Sequence, residues 1–268
     1  MASNKKVNNF DTKKLQGQVV FITGGTSGFG YHLVQELLLN GSKVVVADTN
    51  CLRGHQMQEV VDSSYFMFIE CDVTFKFQVK DAIEQTYHKF GRIDGIVNCA
   101  GVFDIEPIII RESLTAFYTI PQGFFTNLLG SLYSLYYYSQ YKDKEEGVII
   151  NVGPMINSQE LNKLSKYFQI WTSINSFTPL AAEYFRSNSL RFLSISPSSM
   201  EIQMPSVDNS IDNSTTREMI MDTVLKRYKN HNEFVSLVIY ALTNSGINGV
   251  ELELGNTDFN TPPTIAKM

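Results

Sequence analysis

The segment Thr23-Gly24-Gly25-Thr26-Ser27-Gly28-Phe29-Gly30 follows the β-branched run Val19-Val20-Phe21-Ile22 without a spacer. It leads straight into an amphipathic stretch that closes at Asn40-Gly41. Few folds accommodate a strand that turns this sharply into a helix. The glycines permit positive φ and close backbone approach, while the helix N-terminus presents N–H groups and a partial positive charge to an anion. Gly24, Thr26, Ser27, Gly28, Phe29 and Gly30 are therefore the expected cradle of a pyrophosphate, and the competing reading is a tight turn with no ligand.

The rest of the chain continues the pattern. Short apolar runs at 44–48, 65–69, 95–98, 148–151, 191–195 and 250–254 alternate with helical spacings such as Val79, Ile83, Tyr87 and Phe90. This alternation predicts an α/β fold: a Rossmann-type, doubly wound parallel sheet of about seven strands with helices on both faces. The chain has 268 residues, 43% of them hydrophobic and 18% charged, with no break in composition. We therefore expect a short tail over 1–14 and a single domain over 15–268. Two stretches interrupt the alternation. Residues 103–122 are expected to cap the fourth strand, and the Ser/Asn/Asp-rich 197–217 is expected to be a lid or a disordered loop.

Asp48 ends the second strand. A carboxylate there accepts hydrogen bonds from both hydroxyls of an adenosine ribose and repels a 2′-phosphate, so the cofactor expected is NAD(H) rather than NADP(H). Its alternative role is a surface cap at a strand end. Asp72 ends the third strand, placed to meet the adenine edge.

Several partners are excluded. A formal net charge of −5 gives no bulk attraction to nucleic acid. The four histidines, His32, His55, His88 and His231, lack ligand spacing, so no metal site is expected and they are assigned to the surface. The apolar stretch from Phe124 to Tyr138 is broken by Asn127, Gly130 and two serines, so no membrane span is expected. Three cysteines without paired spacing fit a reducing compartment.

The glycine turn, Cys71-Asp72-Val73, Asn98-Cys99-Ala100-Gly101 and Asn127 in the following helix resemble, in order and spacing, the short-chain dehydrogenase/reductase family. The resemblance spans residues 15 to about 257. It implies dinucleotide contacts from Val73, Asn98, Ala100 and Gly101 as well. Within the family, Val97-Asn98-Cys99-Ala100-Gly101, Gly147-Val148-Ile149-Ile150-Asn151 and Asn248-Gly249 are similar to the mitochondrial 3-hydroxyacyl-CoA/hydroxysteroid dehydrogenase branch. That likeness implies the mitochondrial matrix as the compartment, and the cytoplasm otherwise.

Family catalysis needs a serine that holds the substrate oxygen and a tyrosine acid/base, with Asn127 as an accessory position. It also needs a lysine four residues after the tyrosine, which binds the nicotinamide ribose and lowers the tyrosine pKa. Tyr167 stands at the tyrosine position, but Trp171 replaces the lysine and Pro154 the serine. The Pro-Gly expected after the sixth strand is Pro197-Ser198. A phenol of pKa about 10 is only about a thousandth ionised at neutral pH without that ammonium. Lys163 and Lys166 flank Tyr167, but helix geometry turns both away from the ribose. Tyr167 is either a retained acid/base or a packed helix residue.

Three functions compete, the third being an NAD-sensing regulator whose partner binding depends on the dinucleotide. The first is a catalytically impaired, NAD(H)-binding subunit of a homo-oligomer or larger assembly. The second is an active NAD-dependent oxidoreductase using an unusual site on a 3-hydroxyacyl or steroid-like alcohol. The assembly face expected is the helix pair 123–141 and 161–186. The first of these carries Tyr133, Tyr136, Tyr137, Tyr138 and Tyr141, with Leu128, Leu132 and Leu135. The same residues suit intrachain packing.

Overall fold

Uninterrupted apolar strands need cover on both faces of their sheet, and helices provide it. The structure, a computed structural model, describes residues 12–101, 123–141, 146–153, 165–196 and 231–253. Seven strands pair in parallel: β1 (Val19–Thr23), β2 (Lys43–Asp48), β3 (Phe66–Glu70), β4 (Gly95–Asn98), β5 (Gly147–Val152), β6 (Leu190–Ser196) and β7 (Val250–Glu253). Their order is β3-β2-β1-β4-β5-β6-β7. The order reverses between β1 and β4, which opens a crevice beyond their carboxyl ends. Each strand lies within about a residue of the run that predicted it. Tyr65, expected to open β3, precedes it by one residue and is 46% exposed.

Helices α1 (Gly28–Leu39), α2 (Cys51–Val60) and α6 (His231–Thr243) cover one face, where Leu33, Leu37, Met57, Phe234 and Val238 join one core cluster. Helices α3 (Lys76–Phe90), α4 (Gly130–Tyr141) and α5 (Ser165–Tyr184) cover the other through Val79, Ile83, Tyr138 and Ala181. At the amino end, a 3₁₀ turn over Thr12–Leu15 buries Leu15, and Lys14 donates to the Thr243 carbonyl at 3.2 Å. Arg191 of β6 donates to the carbonyls of Ala241, Asn244 and Ile247 at 3.0–3.2 Å. It thereby satisfies acceptors that the end of α6 would otherwise leave bare. Residues 103–122 and 197–217 lie outside the described residues. No helix among the described residues is long and apolar enough to cross a membrane.

The expected helix over 123–141 is in fact two pieces. A π-helical turn, Phe124–Leu129, runs into α4. Three residues assigned to an assembly face, Leu135, Tyr137 and Tyr138, are core instead. Leu135 is 6% and Tyr137 8% exposed, while Leu128 stays half-buried and lines a small cavity with Leu132, Ile149, Asn151 and Ile174. Tyr138 is fully buried and its hydroxyl donates to the Ile93 carbonyl at 2.7 Å. The cause is that α4 is wedged between the sheet and α3, where Tyr141 stacks on Tyr87 and donates to Glu84. Two buried sides consume aromatics that a single stripe would have left outside. Among the described residues, the large hydrophobics of this helix pair that stay exposed are Phe125, Tyr136 (57%) and Tyr141, with Leu180 and Tyr184 of α5.

Candidate functional site

The carboxyl ends of β1 and β4 are stapled together. The Thr23 carbonyl accepts from the Cys99 N–H at 3.1 Å, and the Thr23 hydroxyl accepts from the Ala100 N–H at 3.2 Å. The glycine turn is thereby pressed against Ala100. A Cβ on Gly24, whose φ is +71°, would lie 2.6 Å from the Ala100 nitrogen. Gly30 packs on the Gly24 carbonyl as closely. Gly28 begins α1 with φ +51°. Ser27 stands at the N-cap but makes no side-chain capping bond, so it does not compete with an anion for the helix end. Shape, backbone donors and dipole together suit a pyrophosphate.

Asp48 closes this cradle from β2. Its Oδ2 accepts from the Thr26 N–H at 3.0 Å and the Thr26 hydroxyl at 2.8 Å, and its Oδ1 accepts from the Asn50 N–H at 3.0 Å. Asn50 in turn caps α2, its side-chain oxygen accepting from the Arg53 N–H. The carboxylate thus ties the turn to the rim of the sheet.

Register adds a row that the sequence did not single out. Thr23, Asn98, Asn151 and Ser194 are side-by-side partners across β1, β4, β5 and β6, and all four are buried. Asn98 Nδ2 donates to Asn151 Oδ1 at 2.9 Å, while Asn98 Oδ1 and Ser194 Oγ have no hydrogen-bond partner. Polar residues ending several buried strands at the same rim were the available signal.

Asp72 and Val73 occupy the turn after β3. Asp72 Oδ1 accepts from the Thr74 N–H and hydroxyl at 2.9 and 2.8 Å, which shapes the entry to α3, and the Cys71 N–H bonds the Asp48 carbonyl at 3.1 Å. Val73 packs beneath Gly130 at the start of α4. A Cβ on Gly101 would stand 3.3 Å from Asn127 Oδ1, so the loop after β4 and the π turn meet. Such π turns often mark functional sites. Tyr167 and Trp171 lie four residues apart on the first turns of α5, with Lys166 immediately before Tyr167. Pro154, Lys163 and Ser198 lie outside the described residues.

Burial pushes the Cys71 and Cys99 thiols up to about 12, with nearby Asp72 adding to the effect at Cys71. Both remain protonated at neutral pH and are poor nucleophiles. Among the described residues no group of three or more His, Cys, Asp or Glu side chains is placed to hold a metal ion.

Two histidines assigned to the surface meet at the cradle's flank. His231 stacks on His32 with ring centroids 3.7 Å apart, and Phe29 sits edge-on to His231 and packs on Phe234 at 4.6 Å. The His231 Nδ1 has no hydrogen-bond partner. Burial, and then the neighbouring His32, hold the His231 imidazole below its ordinary 6.5. The fold therefore favours the neutral ring. The stabilisation is full above pH 6.5 and is lost as pH falls through the lowered value. Denaturation midpoints measured from pH 7.5 to 5 should fall on the acid side, and His231→Leu should flatten that slope. An unchanged slope in the variant would remove His231 as its source.

A family model described as short chain dehydrogenase matches residues 18–211. Secoisolariciresinol dehydrogenase of Forsythia intermedia is 35% identical over 104 residues, covering 39% of this chain and 38% of that protein. Human 15-hydroxyprostaglandin dehydrogenase (NAD(+)) is 28% identical over 172 residues, covering 63% and 62%. The chain thus matches less than two thirds of either relative's length. Ipsdienol dehydrogenase of Ips pini is 28% identical over 201 residues, covering 71% and 78%. Among solved structures, a short chain dehydrogenase from Mycobacterium smegmatis superposes with a TM-score of 0.72 at 19% identity, covering 91% of this chain and 94% of that one. The sheet, the stapled glycine turn and the family match agree: the chain belongs to the short-chain dehydrogenase family.

Proposed function

We propose that this protein is an NAD(H)-binding member of its family with an impaired catalytic centre, serving as a structural or accessory subunit of an assembly. The observation that carries the reading is a contrast. The cradle of Gly24, Gly28, Gly30 and Asp48 is built and hydrogen-bonded, whereas Pro154 and Trp171 stand where the family's serine and lysine belong. The residues fit the cofactor: adding a Cβ at Gly24 or Gly30 would fill the cradle with backbone clashes, and Asp48 offers a hydrogen-bond acceptor at its rim. The glycine turn and the α1 N-terminus would hold the pyrophosphate, Asp48 the adenosine ribose, and the turn at Asp72-Val73 the adenine. The nicotinamide, when bound, supplies hydride chemistry. The exposed Tyr136, Leu180 and Tyr184 suit the assembly face.

The adenosine half is complete and the nicotinamide half lacks its lysine, so ADP-ribose should bind about as tightly as NAD. Losing one or two charged hydrogen bonds, each worth roughly 1.5–3 kcal/mol, weakens NAD by at least about tenfold relative to an active relative. Titration calorimetry compares the two ligands directly. Submicromolar NAD with weak ADP-ribose would overturn the split between halves. The alternative, an active NAD-dependent oxidoreductase of a 3-hydroxyacyl or steroid-like alcohol, is favoured by the retained Tyr167 and by relatives that are dehydrogenases by name. Steady NADH production from a secondary alcohol by the purified protein would establish it.

A further inference from the structure

Asp48 enters the cradle already engaged. Two hydrogen bonds from Thr26 reach Oδ2 and one from Asn50 reaches Oδ1. An ionised carboxylate offers about four acceptor positions, two on each oxygen. Oδ2 is therefore full, and Oδ1 keeps one position. Thr26 cannot easily yield its share. Its side chain is 1% exposed, its β-branched χ1 is stiff, and its N–H belongs to a turn pinned at Gly24 by the Ala47 carbonyl at 2.9 Å. A carboxylate in this state cannot accept both hydroxyls of a ribose, contrary to what its position at the strand end alone suggests.

We infer that Thr26 is a specificity-determining positioning residue: by saturating Asp48 Oδ2 it restricts Asp48 to one hydroxyl of the adenosine ribose. The inference rests on the NAD(H) reading above. Thr26 does not itself bond the ribose. It fixes which acceptor remains and holds the carboxylate plane against the turn.

The test is calorimetry with NAD, ADP-ribose and the two NAD analogues lacking either the 2′- or the 3′-hydroxyl of the adenosine ribose. With the unmodified protein, one analogue should lose about tenfold or more in affinity, the value of a hydrogen bond to a charged acceptor, and the other less than about twofold. Thr26→Val vacates one position on Oδ2, so both analogues should then lose affinity and the ratio between them should approach one. Thr26→Ser keeps the hydroxyl and should restore the original ratio. A merely structural Thr26 would weaken every ligand by one factor in the valine variant and leave that ratio untouched, which overturns the inference. So do equal losses for the two analogues with the unmodified protein, a measurement that needs no variant to fold. Failure of the underlying reading looks different: no heat with NAD or with ADP-ribose, which removes the cofactor and the inference together.

Discussion

Replacing Gly30 with alanine is expected to abolish dinucleotide binding and to destabilise the domain by about 3 kcal/mol, the upper end of what overpacking usually costs. The added Cβ would lie 2.2 Å from the Gly24 carbonyl oxygen, 3.0 Å from its carbon and 3.1 Å from the Gly25 Cα. All three are backbone atoms, so no rotamer change relieves the contact. The turn cannot retreat, because Gly24 donates to the Ala47 carbonyl on one side and abuts Ala100 on the other. Helix α1 must move instead, drawing the fully buried Leu33, Val34 and Leu37 out of register with the sheet. Gly28 supplies the control. A Cβ there meets nothing within 4 Å, so Gly28→Ala carries only the left-handed strain of φ +51°, about 1–2 kcal/mol. Urea denaturation and NAD calorimetry on both variants measure the difference. Gly30→Ala with the parent's affinity would mean that the cradle is not the dinucleotide site.

How far the sequence goes is clearest at this turn. A strand buried on both faces leaves a continuous apolar run, and a glycine turn leaves a local signature, so β1, α1 and Asp48 were all legible. Thr26 was legible as a turn residue but not as the partner of Asp48. That contact joins residues 22 positions apart and exists only once β2 lies beside β1. The Thr23, Asn98, Asn151 and Ser194 row is hidden for the same reason, since four strands must be in register before their ends align. The tyrosines of α4 failed differently. Their abundance suggested an outward face, yet Tyr137 and Tyr138 fill the space between the sheet and neighbouring helices. Helical spacing predicts one buried stripe and says nothing of a second neighbour. His231 lies far from His32 in the chain, and nothing local announces that the two will stack.

The catalytic half yields the other large expected effect: a protein carrying Pro154→Ser and Trp171→Lys together should oxidise a secondary alcohol with NAD at least about 10³-fold faster than its parent. Tyr167 and residue 171 are one turn apart on α5, so an ammonium there rises along the same helix as the phenol. An opposite charge within about 4–6 Å lowers an acid's pKa by about 1–3 units, which multiplies the phenolate present at pH 7 by about 10–10³. Lysine also restores a charged hydrogen bond to the nicotinamide ribose. A serine at 154 returns a hydroxyl to orient the substrate oxygen, a contribution of about 10²–10³ in rate. The lower bounds multiply to about 10³. Each single variant should recover only its own share, because an oriented substrate facing a protonated phenol reacts as slowly as an ionised phenol facing a loose substrate. The pH profile separates the effects. In the double variant the rate should climb through a Tyr167 pKa well below 10 and level off, whereas Pro154→Ser alone should still be climbing at pH 9. NADH absorbance reads both quantities. If the parent already turns over at a rate the double variant does not exceed, its chemistry runs through other side chains, and the active oxidoreductase replaces the accessory subunit as the function of this chain.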